Sequence, residues 1–201
     1  MSYRDILGRI RTTVSSGTYL MPTAEVPAAQ REAMAEVVSL LSDPYVAPDA
    51  VRRRIQQLHG SGRLDRPMKL SALGVLAASP RVRDYAEAAR LAGQQELVAL
   101  EEGGPHCEAY LASADRHRGV LAFLMGRHEV ALDWFTRALE RERSPENLGN
   151  VLATLLRLGD HPAATELLAT VRTSFPAEFA DEVASLIARD DDLRELRPGV
   201  E

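Results

Sequence analysis

The sequence predicts an all-α protein, and three observations support this prediction. Hydrophobic residues make up 45% of the 201 residues but aromatic residues only 5%, a composition that favours closely packed helices over a sheet. No segment alternates apolar and polar residues with the turn dipeptides of a β-hairpin. Apolar residues recur instead at helical spacing between glycine and proline boundaries. We therefore expect helices along the whole chain.

Helix boundaries follow from turn and capping residues. Pro27 and Pro48 suit the first turn of a helix, and glycines follow the predicted helix ends near 60 and 102. Residues 15–23 are expected to form a loop, and the acidic segment 189–196 is expected to fray. The predicted helices cover 3–14, 27–41, 48–60, 70–78, 82–101, four segments between 105 and 171, and one segment after Pro176.

Charge and composition narrow the function classes. Residues 1–100 carry 13 basic and 10 acidic groups, whereas residues 101–201 carry 11 and 19, which together give the net charge of −5. Neither half is basic enough to indicate nucleic-acid binding by its field alone. The asymmetry indicates that the two halves have different roles. We expect an N-terminal helical region, 1–104, and a C-terminal region, 105–201, within one continuous array rather than as two independent domains. A lone Cys107, no secretory signal and no long apolar run predict a cytoplasmic protein that does not enter a membrane.

A short pattern occurs twice in the C-terminal half, between apolar-periodic segments. Residues 126–131 (GRHEVA) return 33 residues later as residues 159–164 (GDHPAA). The glycine of each copy can adopt the left-handed conformation that ends a helix. The alanine that closes each copy, Ala131 or Ala164, lets two helix backbones approach closely. The pattern therefore predicts a repeated helical hairpin, with each histidine packing its ring over the turn.

This spacing resembles the tetratricopeptide repeat (TPR), over about residues 113–176. The family has a period of 34 residues and a closing proline, here Pro176. Asp115, Arg118 and Arg143 depart from the apolar and proline positions of the pattern. Residues 67–101 are a candidate degenerate third copy. The resemblance implies a right-handed helical-hairpin solenoid in which the N-terminal helices cap or extend the array.

The same resemblance implies a non-enzymatic scaffold that binds a peptide or a partner helix of another protein. Stacked hairpins leave their first helices along a groove, where the side chains at positions i, i+4 and i+7 face the ligand. Asn150 matches an asparagine with which some family members hold a peptide, although the lysines that accompany it are absent. The expected groove residues are Arg116, Val120, Phe123, Asn150, Ala153 and Arg157.

Two other functions stay open. The arginine triplet Arg52, Arg53 and Arg54 opens a segment, 48–60, that resembles the DNA-contacting helix of a winged-helix transcription regulator. There the arginines would contact phosphates or guanine edges, and the repeats would bind a partner. Alternatively, helix faces or the helix after Pro176 close a homodimer, which would make the chain a self-associating structural protein.

No arrangement of residues predicts an enzyme, a cofactor or a metal site. His106 and His117 share a helical face but lie about 16 Å apart along it, too far for one ion. Cys107 follows Gly-Gly-Pro at a predicted helix start, the kind of place where nucleophilic cysteines occur, yet a buried or inert thiol is the simpler expectation.

Overall fold

A computed structural model of the chain describes residues 2–15 and 27–197. These residues form ten α-helices and a C-terminal 3-10 helix, with no strand among them, so the all-α prediction is confirmed. None of the described helices is both long and apolar enough to cross a bilayer. The helices are α1 (Tyr3–Ser15), α2 (Ala28–Ser42), α3 (Pro48–Gly60), α4 (Arg66–Ala78), α5 (Tyr85–Glu102), α6 (Cys107–Leu124), α7 (His128–Arg141), α8 (Pro145–Arg157), α9 (His161–Ser174), α10 (Ala177–Arg189) and the 3-10 helix (Asp191–Leu196). Most of the loop predicted at 15–23 lies outside the described residues.

The helices group into two compact units. Unit 1 contains residues 1–21 and 122–201, and unit 2 contains residues 22–121. Their extents differ from the two regions, 1–104 and 105–201, expected from charge and repeat pattern.

The core of unit 2 forms between α2, α3 and α4. Completely buried Val37, Val51 and Ile55 pack there with side chains of α4. Helix α4 begins four residues before the predicted start, because Asp65 caps it by accepting a hydrogen bond from the backbone N–H of Met68 at 2.9 Å.

Arg81 joins the C-terminal end of α2 to the turn between α4 and α5. Its guanidinium donates to the carbonyl oxygens of Leu40 at 3.2 Å, Leu41 at 2.6 Å and Asp43 at 2.9 Å, and also to that of Val46. The last carbonyl groups of a helix have no hydrogen-bond donor within that helix. At the end of α2 the guanidinium of Arg81, which lies about 40 residues later in the sequence, donates the missing hydrogen bonds.

Unit 1 brings α1 against α7 and α9. Ile6, Ile10 and Val14 of α1 are buried, at the spacing of one helical face. Arg9 reaches α7, where it donates to Asp133 at 2.8 Å and to Glu140 at 2.5 Å. The first helix of the chain is thus part of the unit that also contains the last one.

The two repeated turns have the predicted geometry. Gly126 and Gly159 have φ values of 71° and 77°, in the left-handed region that favours glycine. Ala131 and Ala164, one turn into the following helices, are completely buried. The prediction that the recurring pattern forms the turn of a helical hairpin, with glycine in the turn and alanine at the close contact, is therefore confirmed at these four positions.

The C-terminal segment folds back on α8. Phe179, Val183 and Ile187 form the buried face of α10, and the 3-10 helix that follows also packs on α8. Leu193 of the 3-10 helix is completely buried. The prediction that residues 189–196 fray is therefore wrong: one leucine among the charges is enough to anchor the segment.

Candidate functional site

One face of α8 combines predicted groove residues with a contact to the end of the chain. Helix α8 begins at Pro145, and Ser144 caps it by accepting from the N–H of Asn147 at 3.3 Å. Most of its circumference is buried, as expected for a central helix with leucines on several sides. We define the α8 face as Gly149, Asn150, Ala153 and Arg157, which span about 100° of the helix circumference.

Gly149 leaves space on the α8 face for a leucine of α10. A Cβ atom built on Gly149 would lie 2.5 Å from Cδ2 of Leu186 and 3.8 Å from Cδ1 of Leu193. No side chain fits there unless Leu186 moves. Ala153, one turn further on, is 9% exposed. The apolar part of the α8 face is therefore in contact with a helical segment of the same chain.

Charged groups flank this apolar contact. Arg157 donates to Asp192 of the 3-10 helix at 2.5 Å, and both side chains are about half exposed. His161 Nδ1 lies 3.3 Å from Glu195 Oε2, also at the surface. Because solvent screens exposed pairs, each contributes little to the free energy of folding and mainly orients the segment. Asn150 is partly buried; its backbone carbonyl accepts from the Thr154 hydroxyl at 2.6 Å.

The remaining predicted groove residues belong to α6. Arg116 and Val120 lie in unit 2, and Phe123 lies in unit 1; all three are partly buried. The ring of Phe123 packs edge-on against His128, with 5.1 Å between the ring centres. The expectation that His128 packs over its turn is thus confirmed. The same expectation is wrong for His161, whose half-exposed ring faces Glu195 instead.

A buried carboxylate replaces the apolar residue expected in the first repeat. Asp115 is only 2% exposed, and its Oδ1 lies 3.6 Å from Nη1 of Arg118. The same guanidinium donates to Glu96 of α5 at 2.5 Å. Asp115 and Arg118, the two residues that depart from the repeat pattern, therefore form an ion pair in which the arginine offsets the buried negative charge of the aspartate.

The alternative DNA-contacting helix coincides with α3. Arg52 and Arg53 are exposed, whereas Nε of Arg54 donates to Glu36 of α2 at 2.5 Å. Helix α4 follows α3 after a short turn. The strand that a winged-helix fold requires at this place is not found among the described residues. Arg54 is thus engaged by Glu36, although its side chain is 39% exposed.

Other features of the described residues do not assemble into a site. No group of three or more His, Cys, Asp or Glu side chains that could hold a metal ion occurs within residues 2–15 and 27–197. Cys107 is a free, partly buried thiol. A surface pocket of about 250 Å³ is lined by α1 and α9, beside Leu7 and Leu167. It is smaller than typical ligand pockets, which measure about 300–1,000 Å³.

Sequence reasoning overlooked the residues that complete the α8 face. Leu186 belongs to α10 and Leu193 to the 3-10 helix, with the extended Asp190 between them, so no helical spacing in the sequence pairs these two leucines. The leucine at 193, inside an acidic stretch, was one signal of a buried contact. A glycine inside an otherwise leucine-rich helix was the matching signal, because glycine there weakens the helix unless close packing requires it.

The described residues thus define an all-α protein in which consecutive helices pack on one another. No model of a known protein family, no curated protein and no solved structure matches this chain.

Proposed function

We propose that this chain is a TPR-like helical-repeat protein that binds a helical segment of another protein on the α8 face. The observation that carries the proposal is the packing of the protein's own C-terminal segment, α10 and the 3-10 helix, on this face of α8. That face holds two leucines and an aspartate of an amphipathic segment through Gly149 and Arg157. A surface that holds such a segment in the same chain has the chemistry to hold one from a partner.

The partner segment would resemble the one already in place. It would present a leucine at the place now taken by Leu193, beside Gly149, and an acidic residue to Arg157. It would displace the 3-10 helix, whose hold on α8 depends on Leu193 and on exposed ion pairs. Asn150 would meet polar groups of the incoming backbone.

A labelled peptide with the sequence of residues 186–197 tests the proposal on the full chain. Wild type should bind the peptide weakly, because its own 3-10 helix competes for the same face. Leu193→Asp should bind it at least tenfold more tightly, since the competing segment is released. Adding Arg157→Ala should weaken that binding, whereas Arg172→Ala, which removes an exposed arginine of α9, should not.

The same variants identify the natural partner. A protein captured from a lysate of the source cell by Leu193→Asp, and lost when Arg157→Ala is added, would be the expected ligand. Helical content measured by circular dichroism must stay similar in all variants. Equal peptide binding by every variant, or none by Leu193→Asp, would refute the proposal.

Nucleic-acid binding is the second candidate, favoured only by the exposed Arg52 and Arg53 of α3. If it is correct, duplex DNA affinity falls steeply with salt and is lost when both arginines become alanine. Binding that survives this double substitution would exclude α3 as the contact.

A further inference from the structure

We propose that the interior of unit 2 contains a binding site for ordered water between α4, α5 and α6. The proposal does not depend on the function proposed for the α8 face. It begins with polar residues at positions where three packed helices normally bury apolar side chains. Ser71 of α4, Gln95 of α5 and Ser113 of α6 are all buried. The first question is whether these residues lie together.

Contacts between α4 and α6 define two adjacent layers. The hydroxyl oxygens of Ser71 and Ser113 are 3.5 Å apart. One turn further along both helices, a Cβ atom built on Gly74 would lie 3.9 Å from Nδ1 of His117. It would also lie 3.9 Å from Cβ of Leu91, which brings α5 to the same level. The two helices α4 and α6 therefore run side by side in the same direction here.

Helix α5 adds Gln95 to the layer of the two serines. The short turn between α4 and α5 makes these two helices antiparallel. Gln95 follows Leu91 by one turn, and it is therefore at the level of Ser71, which precedes Gly74 by one turn. Its Nε2 atom donates to the backbone oxygen of Tyr110 at 3.3 Å, so the side chain lies between α5 and α6.

Apolar clusters enclose the two layers along the helix axes. On one side, the cluster contains one residue of α4, two of α5 and one of α6, namely Ala77, Ala88, Leu91 and Leu121. On the other side, Ala99 of α5 packs with Tyr110 and Leu111 of α6. The polar groups between these clusters are thus an interruption of an otherwise apolar interface.

Two polar atoms in these layers have no hydrogen-bond partner within residues 2–15 and 27–197. They are Oε1 of Gln95 and Nδ1 of His117, and both atoms are buried, although the His117 ring as a whole is partly buried. Exchanging the two ends of the Gln95 amide would not help, since its Nε2 already donates to a carbonyl oxygen. Interior water is the usual partner of a buried polar group that the protein itself leaves unbonded.

Gly74 leaves room for a water molecule beside His117. An atom at the Cβ position of Gly74 would have only ordinary van der Waals contacts, the nearest at 3.9 Å. Water both donates and accepts, so it suits either tautomer of the imidazole. In the neighbouring layer, a water beside Gln95 Oε1 would have the hydroxyl groups of Ser71 and Ser113 as further partners. Buried water typically makes about two to four such hydrogen bonds.

Serine and alanine substitutions at Gly74 test the proposal on the full chain. Gly74→Ser places a hydroxyl group where the water binds, within reach of His117 Nδ1. Gly74→Ala fills the same space but leaves that nitrogen without a partner. The midpoint of thermal unfolding should therefore be higher for Gly74→Ser than for Gly74→Ala, the reverse of the intrinsic helix preference for alanine.

Two controls isolate the hydrogen bond to His117. Gly8 is exposed inside α1, with no neighbour within 4 Å of an added Cβ. There the alanine variant should have the higher midpoint. When Gly74→Ser and Gly74→Ala are each combined with His117→Leu, alanine should again exceed serine, because the hydroxyl has lost its partner.

Nuclear magnetic resonance detects the water directly. Cross-relaxation between long-lived water and the Hα protons of Gly74 should be present in wild type, and the corresponding signal should be lost in Gly74→Ser and Gly74→Ala. Absence of the signal in wild type would overturn the proposal. A higher unfolding midpoint for Gly74→Ala than for Gly74→Ser, with His117 in place, would overturn it as well.

Discussion

Leu186 of α10 occupies the space that a side chain at position 149 of α8 would need. The Leu186 Cδ2 atom lies 2.5 Å from the position of a Cβ atom on Gly149. A side chain at position 149 would therefore have to displace the Leu186 side chain, which packs between α8 and α10.

Replacement of Gly149 by alanine should therefore destabilise unit 1. The added methyl group overlaps Leu186, and overpacking of this kind typically costs about 1–3 kcal/mol. The measurement is the free energy of unfolding in urea. Gly8→Ala is the matched control: Gly8 lies inside α1 with no neighbour within 4 Å of an added Cβ. That control should be neutral or stabilising by up to about 1 kcal/mol. An equal effect at both positions would contradict this explanation.

Arg81 should contribute more to stability than other arginines of unit 2. Arg81→Ala removes the donors to the carbonyl groups at the end of α2 and should cost about 2–3 kcal/mol. Arg81→Lys should recover less than half of the loss, because an ammonium group cannot reproduce the planar fork of a guanidinium. Arg53→Ala, at an exposed position of α3, should change the unfolding free energy by less than about 0.5 kcal/mol. Equal losses for Arg81→Ala and Arg53→Ala in urea denaturation would refute the prediction.

His117 should make the protein less stable in mild acid. Its Nδ1 is buried and has no hydrogen-bond partner among the described residues. Burial, with a smaller contribution from Arg116, lowers the pKa of His117 to about 3. The unfolded chain binds a proton near pH 6.5, whereas the folded chain does not until about pH 3. The histidine therefore costs no stability above pH 6.5, and its cost grows as the pH falls below that value.

His117→Leu should remove this contribution. Between pH 7.5 and pH 5, wild type should lose about 2 kcal/mol more stability than the variant. His161→Gln, at an exposed ring, is the control and should keep the acid sensitivity of wild type. Parallel pH profiles for wild type and His117→Leu would show that His117 is protonated in the folded state.

The Tyr3 hydroxyl should hold α1 on α9 through Asp160. It donates to Asp160 Oδ2 at 2.5 Å, and this hydrogen bond is the main reason that the pKa of Asp160 is lowered. Because the pKa of Asp160 is lower in the folded than in the unfolded chain, the ionised carboxylate stabilises the folded state at pH values above its usual pKa near 3.8. This stabilisation is lost as the pH falls through the folded-state pKa. Tyr3→Phe should thus cost about 1 kcal/mol at neutral pH and less in acid.

Two measurements check this prediction. Nuclear magnetic resonance titration should find the pKa of Asp160 higher in Tyr3→Phe than in wild type. Amide exchange in α1 should become faster, because the helix opens more easily. Tyr45→Phe, where the side chain is 94% exposed, should alter neither quantity.

The sequence predicted the helices well where local signals set their limits. Pro48 and the turn glycines at 126 and 159 act through their own backbone geometry, so their effect is readable without knowledge of distant residues. The predicted start of α4, at residue 70, is four residues late, because Asp65 before the first-turn Pro67 is itself a capping signal.

Tertiary contacts account for the errors at the candidate site. The acidic stretch 189–196 has the composition of a frayed end, and only the packing of Leu193 on α8 overrides that composition. The fully buried Leu193 and the space at Gly149 are two sides of one contact, 44 positions apart in the sequence. Neither residue alone predicts the other. Arg81 is similar, since its acceptors lie about 40 residues earlier.

The membership of α1 in unit 1 sets an order of events during synthesis. The apolar face of α1 leaves the ribosome well before its partner α7, which begins only at His128. At typical translation rates of about 5–20 residues per second, Ile6, Ile10 and Val14 wait about 6–20 s for their neighbours. All of the helices α2 to α5 emerge in that interval and can fold beforehand. The apolar face of α1 therefore stays without its partner until α7 has emerged, and this is the interval in which a chaperone would shield it.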